Sequence, residues 1–166
     1  MVTSFIFLPA DCTVQALADF EKLVIKGGAV KPEGLAERIR NASRLLFLRT
    51  PDGELVGTGA LKHPRPAYRD KVFADARATV SADEYPVELG WVVVAKAYQG
   101  RRLSTRIVGE LLAFARNENI FATTRADERV LSYAFDCGFK MNGAPFPSGQ
   151  GYDLVLYLRN AQDYLR

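Results

Sequence analysis

Glu88-Leu-Gly-Trp-Val-Val-Val94, then Ala95-Lys-Ala-Tyr-Gln-Gly-Arg-Arg-Leu-Ser104, then Leu103, Ile107, Leu111 and Phe114 or Ala115 at helical spacing: the reading of this run, from Pro86 to Phe114, decides the fold. The first segment is rich in β-branched and aromatic residues and predicts a strand. The third has one apolar face and predicts an amphipathic helix. The basic turn between them therefore feeds a helix N-terminus, where backbone N–H groups lack intrahelical partners and the helix dipole is positive. With Arg101 and Arg102 adding charge, this is a cradle suited to a pyrophosphate.

Working outward, Ile120-Phe-Ala-Thr-Thr124 reads as the next strand. A strand, a helix over 103–116 and a second strand make a βαβ crossover, which implies a parallel pair. Upstream, Thr3 to Leu8 reads as a strand, and Asp11 or Thr13 is placed to cap a helix carrying Val14, Leu17, Ala18 and Leu23. Gly27-Gly28 ends that helix. Pro32 fits the first turn of a short second helix with Leu35 and Ile39 on its apolar face. Arg44-Leu-Leu-Phe-Leu-Arg49, the turn Pro51-Asp52-Gly53 and the stretch Glu54 to Leu61 read as an antiparallel hairpin, with Gly57 and Gly59 marking a close backbone approach or a bulge. Pro64 to Pro86 reads as an insertion, in which Tyr68 to Ala76 has spacing for one or two helical turns. Asp127 to Cys137 reads as a helix ended by Gly138, Gly143 to Gly151 as a loop, and Tyr152 to Leu158 as the strand that closes the sheet.

Composition bounds what such a chain does. Its 166 residues predict a single domain over 1–166, long enough to bury a core without disulfides or metals. The 48% apolar and 25% charged residues are ordinary for a globular protein, and no apolar run approaches the ~20 residues of a membrane span. Met1 to Pro9 lacks the basic flank and apolar length of a signal peptide, so a cytoplasmic location is expected. A net charge of +3, with basic and acidic residues interspersed, argues against a nucleic-acid partner. Cys12, Cys137 and the single His63 do not make a four-ligand zinc site, and no metal is expected. His63 sits in the turn-like His63-Pro-Arg-Pro66 and reads as a surface loop residue. The cysteines read as buried free thiols, and no nucleophile elbow surrounds any Ser or Cys.

An antiparallel start, a βαβ core with a phosphate-cradling turn and a terminal hairpin together resemble the GCN5-related N-acetyltransferase (GNAT) superfamily over nearly the whole chain. The resemblance implies an α/β (α+β) fold: a central mixed, mostly antiparallel sheet of about six or seven strands with a parallel βαβ core and flanking helices. The family's cofactor signature, Q/R-x-x-G-x-G/A, falls on Gln99, Gly100, Arg101, Arg102, Leu103 and Ser104. Here Arg102 stands where the family usually has Gly, and Ser104 where it has Gly or Ala. The resemblance implies acetyl-CoA as cosubstrate, its pyrophosphate on this turn and its pantetheine along the backbone of Val92, Val93 and Val94. A second segment agrees: Ala122 to Asp127, continuing to Phe135-Asp-Cys-Gly-Phe139, resembles the strand, Asn-led helix and Gly-Phe ending that follow the cofactor helix, with Asp127 at the usual Asn and implied to face the cofactor.

In the family reaction an amine attacks the thioester, and it must be neutral to do so. Glu88 lies eleven residues before Gln99, the offset of the base glutamate in histone-acetylating members, and is implied to take the proton directly or through water. Glu84 is the substitute should Glu88 point away. A Tyr four residues before the Gly-Phe glycine often protonates the departing thiolate; here that position is Ala134, and neighbouring Tyr133 is rotated by about 100° on a helix. The thiolate then leaves with a water or unassisted. By resemblance the acceptor site is bordered by Gly27 to Lys31, Tyr68 to Phe73 and Pro145 to Tyr152, a lining that fits a small-molecule or peptide amine without singling one out. A homodimer is compatible with this pattern, and steric room near Trp91 and Val92 is expected to set the acyl length. A non-catalytic acyl-CoA-binding or interaction module on the same fold is the competing reading.

Overall fold

In a computed structural model, residues 1–127 and 137–161 are described. In chain order the strands and α-helices are β1 (Thr3–Phe7), α1 (Val14–Lys26), α2 (Leu35–Arg40), β2 (Arg44–Arg49), β3 (Leu55–Lys62), α3 (Pro66–Asp75), β4 (Val87–Val94), α4 (Leu103–Phe114), β5 (Ile120–Arg125), β6 (Lys140–Pro147) and β7 (Asp153–Arg159). The strands form one seven-stranded sheet in the order β1-β2-β3-β4-β5-β7-β6. Pairing is antiparallel for β1–β2, β2–β3, β5–β7 and β6–β7, and parallel for β4–β5. The expected mixed, mostly antiparallel sheet with a parallel pair is the one observed.

Most boundaries lie within a residue or two of the expected ones, and the differences have local causes. Thr13 rather than Asp11 caps α1, its hydroxyl accepting from the Ala16 N–H at 3.1 Å. Pro32 is not in the first turn of α2. That helix starts at Leu35 behind Gly34, whose φ of 69° a side chain would resist, and the Pro32 carbonyl closes the preceding turn by accepting from Leu35 N–H. The expected one or two turns near Tyr68 are a ten-residue helix, α3, opened by Pro66 at its first position. The stretch expected as a loop from Gly143 is strand β6 as far as Pro147; β6 ends the strand order, where proline's missing donor is tolerated, and its register shifts between Asn142 and Phe146. The helix expected from Asp127 to Cys137 lies largely outside the described residues.

Residue contacts divide the chain into two compact units, Met1–Lys62 with Leu89–Phe114, and His63–Glu88 with the described residues from Ala115 onward. The core of the first is built from Phe20 and Val24 of α1, Leu35 and Ile39 of α2, Leu45 and Phe47 of β2, Ala60 of β3 and Trp91 of β4. Phe20 meets Phe47 and Trp91 edge-on, at centroid separations of 5.3 and 6.3 Å. The other face of β3 carries α4. A Cβ on Gly59 would lie 2.4 Å from Ile107 Cγ2 and 2.9 Å from Leu111 Cδ1, so the close approach expected at this glycine is what seats the helix. Of the alternatives for the apolar face of α4, Ala115 is buried, whereas Phe114 is exposed beneath the Arg44 guanidinium at 5.0 Å.

The second unit has its own core: Val72, Phe73 and Ala76 of α3, Tyr85, Phe121 of β5, Phe146 of β6, and Leu156 and Leu158 of β7. Phe73 stacks edge-on to Phe121 at 5.4 Å, fixing α3 to the sheet. Gly143, at φ 75°, brings its Cα against the end of α3, and the adjacent Ala144 N–H donates to the Ala76 carbonyl at 2.8 Å.

Candidate active site

Strand β4 carries both halves of the expected chemistry, its first two residues in one unit and the rest in the other. In the unit containing its later residues, the strand departs from regular pleat at Trp91, whose φ is 52°. A bulky residue in the left-handed region is a strained conformation, costing about 1–3 kcal/mol, and such strain persists only where surrounding contacts impose it. The contacts are on both sides of the residue. The buried Thr58 hydroxyl donates to the Trp91 carbonyl at 2.8 Å, the indole is locked in the core against Phe20, and Lys62 Nζ lies 4.8 Å from the ring centroid. Trp91 therefore fills the core of its unit. Beyond it Val92, Val93 and Val94 are half-buried, and α1 ends against them: a Cβ on Gly27 would fall 2.7 Å from Val93 Cγ2.

The basic turn follows. Ala95 N–H donates to the Val56 carbonyl at 2.8 Å, a short 3₁₀ helix spans Lys96–Tyr98, and the Gln99 side-chain amide reaches back to the Val94 carbonyl at 3.0 Å. Gln99 thus closes the turn on the strand that leads into it. Gly100 and Arg102 both have positive φ, 78° and 57°, and Leu103 begins α4 immediately after. The position where the signature has glycine is therefore held in a glycine-like conformation although Arg occupies it. The first intrahelical bond of α4 runs from Arg106 N–H to the Arg102 carbonyl, which makes Leu103, Ser104 and Thr105 the residues whose N–H groups open the helix. Arg101 and Arg102 are exposed beside this end, the Arg101 guanidinium resting over Tyr98 at 5.1 Å. Curled backbone, helix N-terminus and two guanidinium groups fit a pyrophosphate.

In the other unit, Glu88 is a buried carboxylate in the only parallel strand pair described, with register Val87↔Ile120 and Glu88↔Phe121. It shares a sheet face with Phe121 and faces α3, from which the Tyr68 hydroxyl donates to Oε1 at 3.2 Å. Glu84 is exposed in the preceding 3₁₀ turn, so of the two carboxylates Glu88 is the one directed into its unit. Tyr68 as the partner of Glu88 was not readable in the sequence, since no periodicity links residues twenty apart on a helix and a strand.

Asp127 is exposed at the end of β5, its carboxylate accepting from the Arg125 guanidinium at 3.3 and 3.4 Å, while Arg125 lies over Tyr152 at 4.2 Å. Tyr152 lines a shallow cavity of about 370 Å³ with Pro147, Gly149, Gly151 and Asp153, overlapping the late stretch implied as an acceptor border. Gly27 to Lys31 belongs to the first unit, Tyr68 to Phe73 and Pro145 to Tyr152 to the second. Tyr133 and Ala134 lie outside the described residues. His63 is exposed, as expected of a loop residue. Both cysteines are only half-buried, where burial was expected. Burial and the neighbouring Asp11 push the Cys12 thiol pKa up, the opposite of an activated nucleophile. Among the described residues no group of three or more His, Cys, Asp and Glu side chains is placed to hold a metal, and no helix is long and apolar enough to cross a membrane.

The seven-stranded sheet, with its positive φ at Trp91 and the curled turn before α4, gives the fold and the geometry, and the comparisons with known proteins give the family. The model of the acetyltransferase (GNAT) family matches residues 16–139, and the chain belongs to that family, whose chemistry is acetyl transfer from acetyl-CoA. No curated protein sequence matches the chain. Among solved structures, an acyl-CoA N-acyltransferase from Pseudomonas aeruginosa has a TM-score of 0.68 at 16% identity, covering 96% of this chain and 99% of its own. YncA from Salmonella typhimurium, solved with its cofactor acetyl-CoA, has 0.65 at 17%, covering 97% and 94%. A chimera of the spermidine N-acetyltransferase SpeG from Vibrio cholerae with hSSAT has 0.64 at 15%, covering 100% and 99%. At these identities the likeness is one of fold.

Proposed function

We propose that the chain is an acetyl-CoA-dependent N-acetyltransferase acting on a primary amine of a small-molecule or peptide acceptor, with Glu88 as general base. The observation that carries this reading is the Gln99–Ser104 turn, where Gly100 and Arg102 adopt positive φ directly before α4. Bound acetyl-CoA supplies the activated acyl group as a thioester. The N–H groups of Leu103, Ser104 and Thr105, with Arg101 and Arg102, hold its pyrophosphate, and the backbone of Val92 to Val94 pairs with its pantetheine. Asp127 serves at the cofactor's edge in place of the usual Asn. Glu88 removes the proton that the amine nitrogen sheds as it bonds to the acyl carbon, which contributes on the order of 10²–10⁴-fold in rate. Positioning contributes the rest, and the thiolate leaves with a water or unassisted. The spermidine-acetylating and acetyl-CoA-bound relatives in fold favour an amine acceptor and this cosubstrate. The two units act as one cytoplasmic acetyltransferase domain spanning 1–166.

Binding and turnover are tested separately. Acetyl-CoA in large excess over its Kd raises the melting temperature of the folded protein; no shift at millimolar acetyl-CoA sinks the cofactor assignment. A thiol-release screen with acetyl-, succinyl- and longer acyl-CoAs against mixed amines then yields turnover with acetyl-CoA and at least one amine. Binding without thiol release from any pair establishes the non-catalytic module instead.

A further inference from the structure

Glu88 is only 4% exposed, whereas Tyr68, which donates to it, is 44% exposed on a helix the family signatures do not touch. A buried base has two needs that an open one lacks: its carboxylate must be held in one orientation, and each proton it collects must leave before the next turnover. Tyr68 meets both. Its hydroxyl fixes Oε1 at 3.2 Å, and its ring reaches from the buried strand to the surface of α3. We infer that Tyr68 is a positioning residue for Glu88 and the outlet through which its proton reaches solvent, an inference that rests on the reading of Glu88 as base.

The transfer balances without any redox partner. The amine nitrogen loses a proton to a Glu88 carboxylate oxygen as the new N–C bond forms and the acyl C–S bond breaks, the CoA sulfur leaving as thiolate. The Glu88 O–H then passes its proton to the Tyr68 oxygen while the phenol's own proton passes to a water, so one proton is released and both side chains regain their starting forms. Phe73 and Phe121, packed edge-on under the same helix, hold α3 so that the phenol keeps its reach. The other charged and titratable groups on the elements of this face include Arg69, Asp70 and the paired Lys71 and Asp75 on α3, Tyr85 before β4, Arg125 on β5 and Lys140 on β6. Arg69 is paired with Asp83 at 2.9 Å, Tyr85 donates to Asn160 at 2.6 Å, and Arg125 is engaged with Asp127.

The test is a double-mutant cycle on the full chain with Tyr68→Phe, Glu88→Gln and the double variant, using acetyl-CoA and the best amine from the screen. Tyr68→Phe keeps the ring and removes the hydroxyl that donates to a buried carboxylate, so the melting temperature falls by several degrees while both KM values stay within about twofold of wild type and kcat falls roughly tenfold. Adding Tyr68→Phe to Glu88→Gln causes no further loss. Millimolar imidazole, a small proton carrier, restores part of kcat in Tyr68→Phe and none in Glu88→Gln. An unchanged kcat in Tyr68→Phe, losses that multiply in the double variant, or no recovery with imidazole overturns the inference while leaving Glu88 as base. Wild-type activity in Glu88→Gln overturns the base assignment itself, a separately readable failure.

Discussion

The Gln99–Ser104 turn and the Glu88–Tyr68 pair, one in each compact unit, use opposite parts of the chain. The turn is mainly backbone, two positive φ values and a helix end, closed by one glutamine side chain folded back on its own strand at 3.0 Å. The pair is made of side chains, one buried carboxylate and one phenol. A backbone site tolerates exchange of residues so long as the conformation survives, which is why Arg102 stands at a glycine position without opening the curl. A side-chain site has no such latitude, because under the proposed mechanism the group that takes the proton is the residue itself.

Variants that break this contrast fall in order of effect. Gly59→Val places methyl groups where Ile107 and Leu111 already lie and is expected to cost about 3 kcal/mol, lowering the melting temperature by roughly 6–12 °C and weakening acetyl-CoA binding as α4 loses its seat. A wild-type melt would show that α4 is seated some other way. Thr58→Val leaves the Trp91 carbonyl without its hydroxyl donor and is expected to cost about 1–3 kcal/mol by chemical denaturation; no loss means that packing alone holds the strained residue. Arg102 separates conformation from charge. Arg102→Val, β-branched at φ 57°, should destabilise by about 1–2 kcal/mol, whereas Arg102→Gly stays within about 1 kcal/mol of wild type. The glycine variant should also lose affinity for acetyl-CoA by a few-fold at low salt, a difference that shrinks as ionic strength rises. Equal stability of the two variants would remove the argument from backbone strain.

How much was legible in the sequence follows the same division. The strand-turn-helix around Gln99, the hairpin at Pro51-Asp52-Gly53 and the close approach at Gly59 rest on local chemistry, and the structure has them where periodicity and turn residues put them. Glu88 was singled out by its offset from Gln99 through the resemblance, and its burial against α3 is what the structure adds. The length of α3 was not, because its apolar positions are few and its order comes from Phe73 packing on Phe121 and Tyr85. Nor was the strand character of Gly143 to Pro147, which depends on pairing with β7, or the φ of 52° at Trp91, which Thr58 and the surrounding core impose from elsewhere in the chain. Tyr68 was read as bordering an acceptor site, but its bond to Glu88 is a tertiary contact that no spacing encodes.

The most direct test is to measure acetyl-CoA affinity and CoA-thiol release side by side in wild type and Glu88→Gln. A backbone cradle with a side-chain base predicts an unchanged Kd and a fall in turnover on the order of 10²-fold or more. Turnover equal to wild type across the pH range would contradict it.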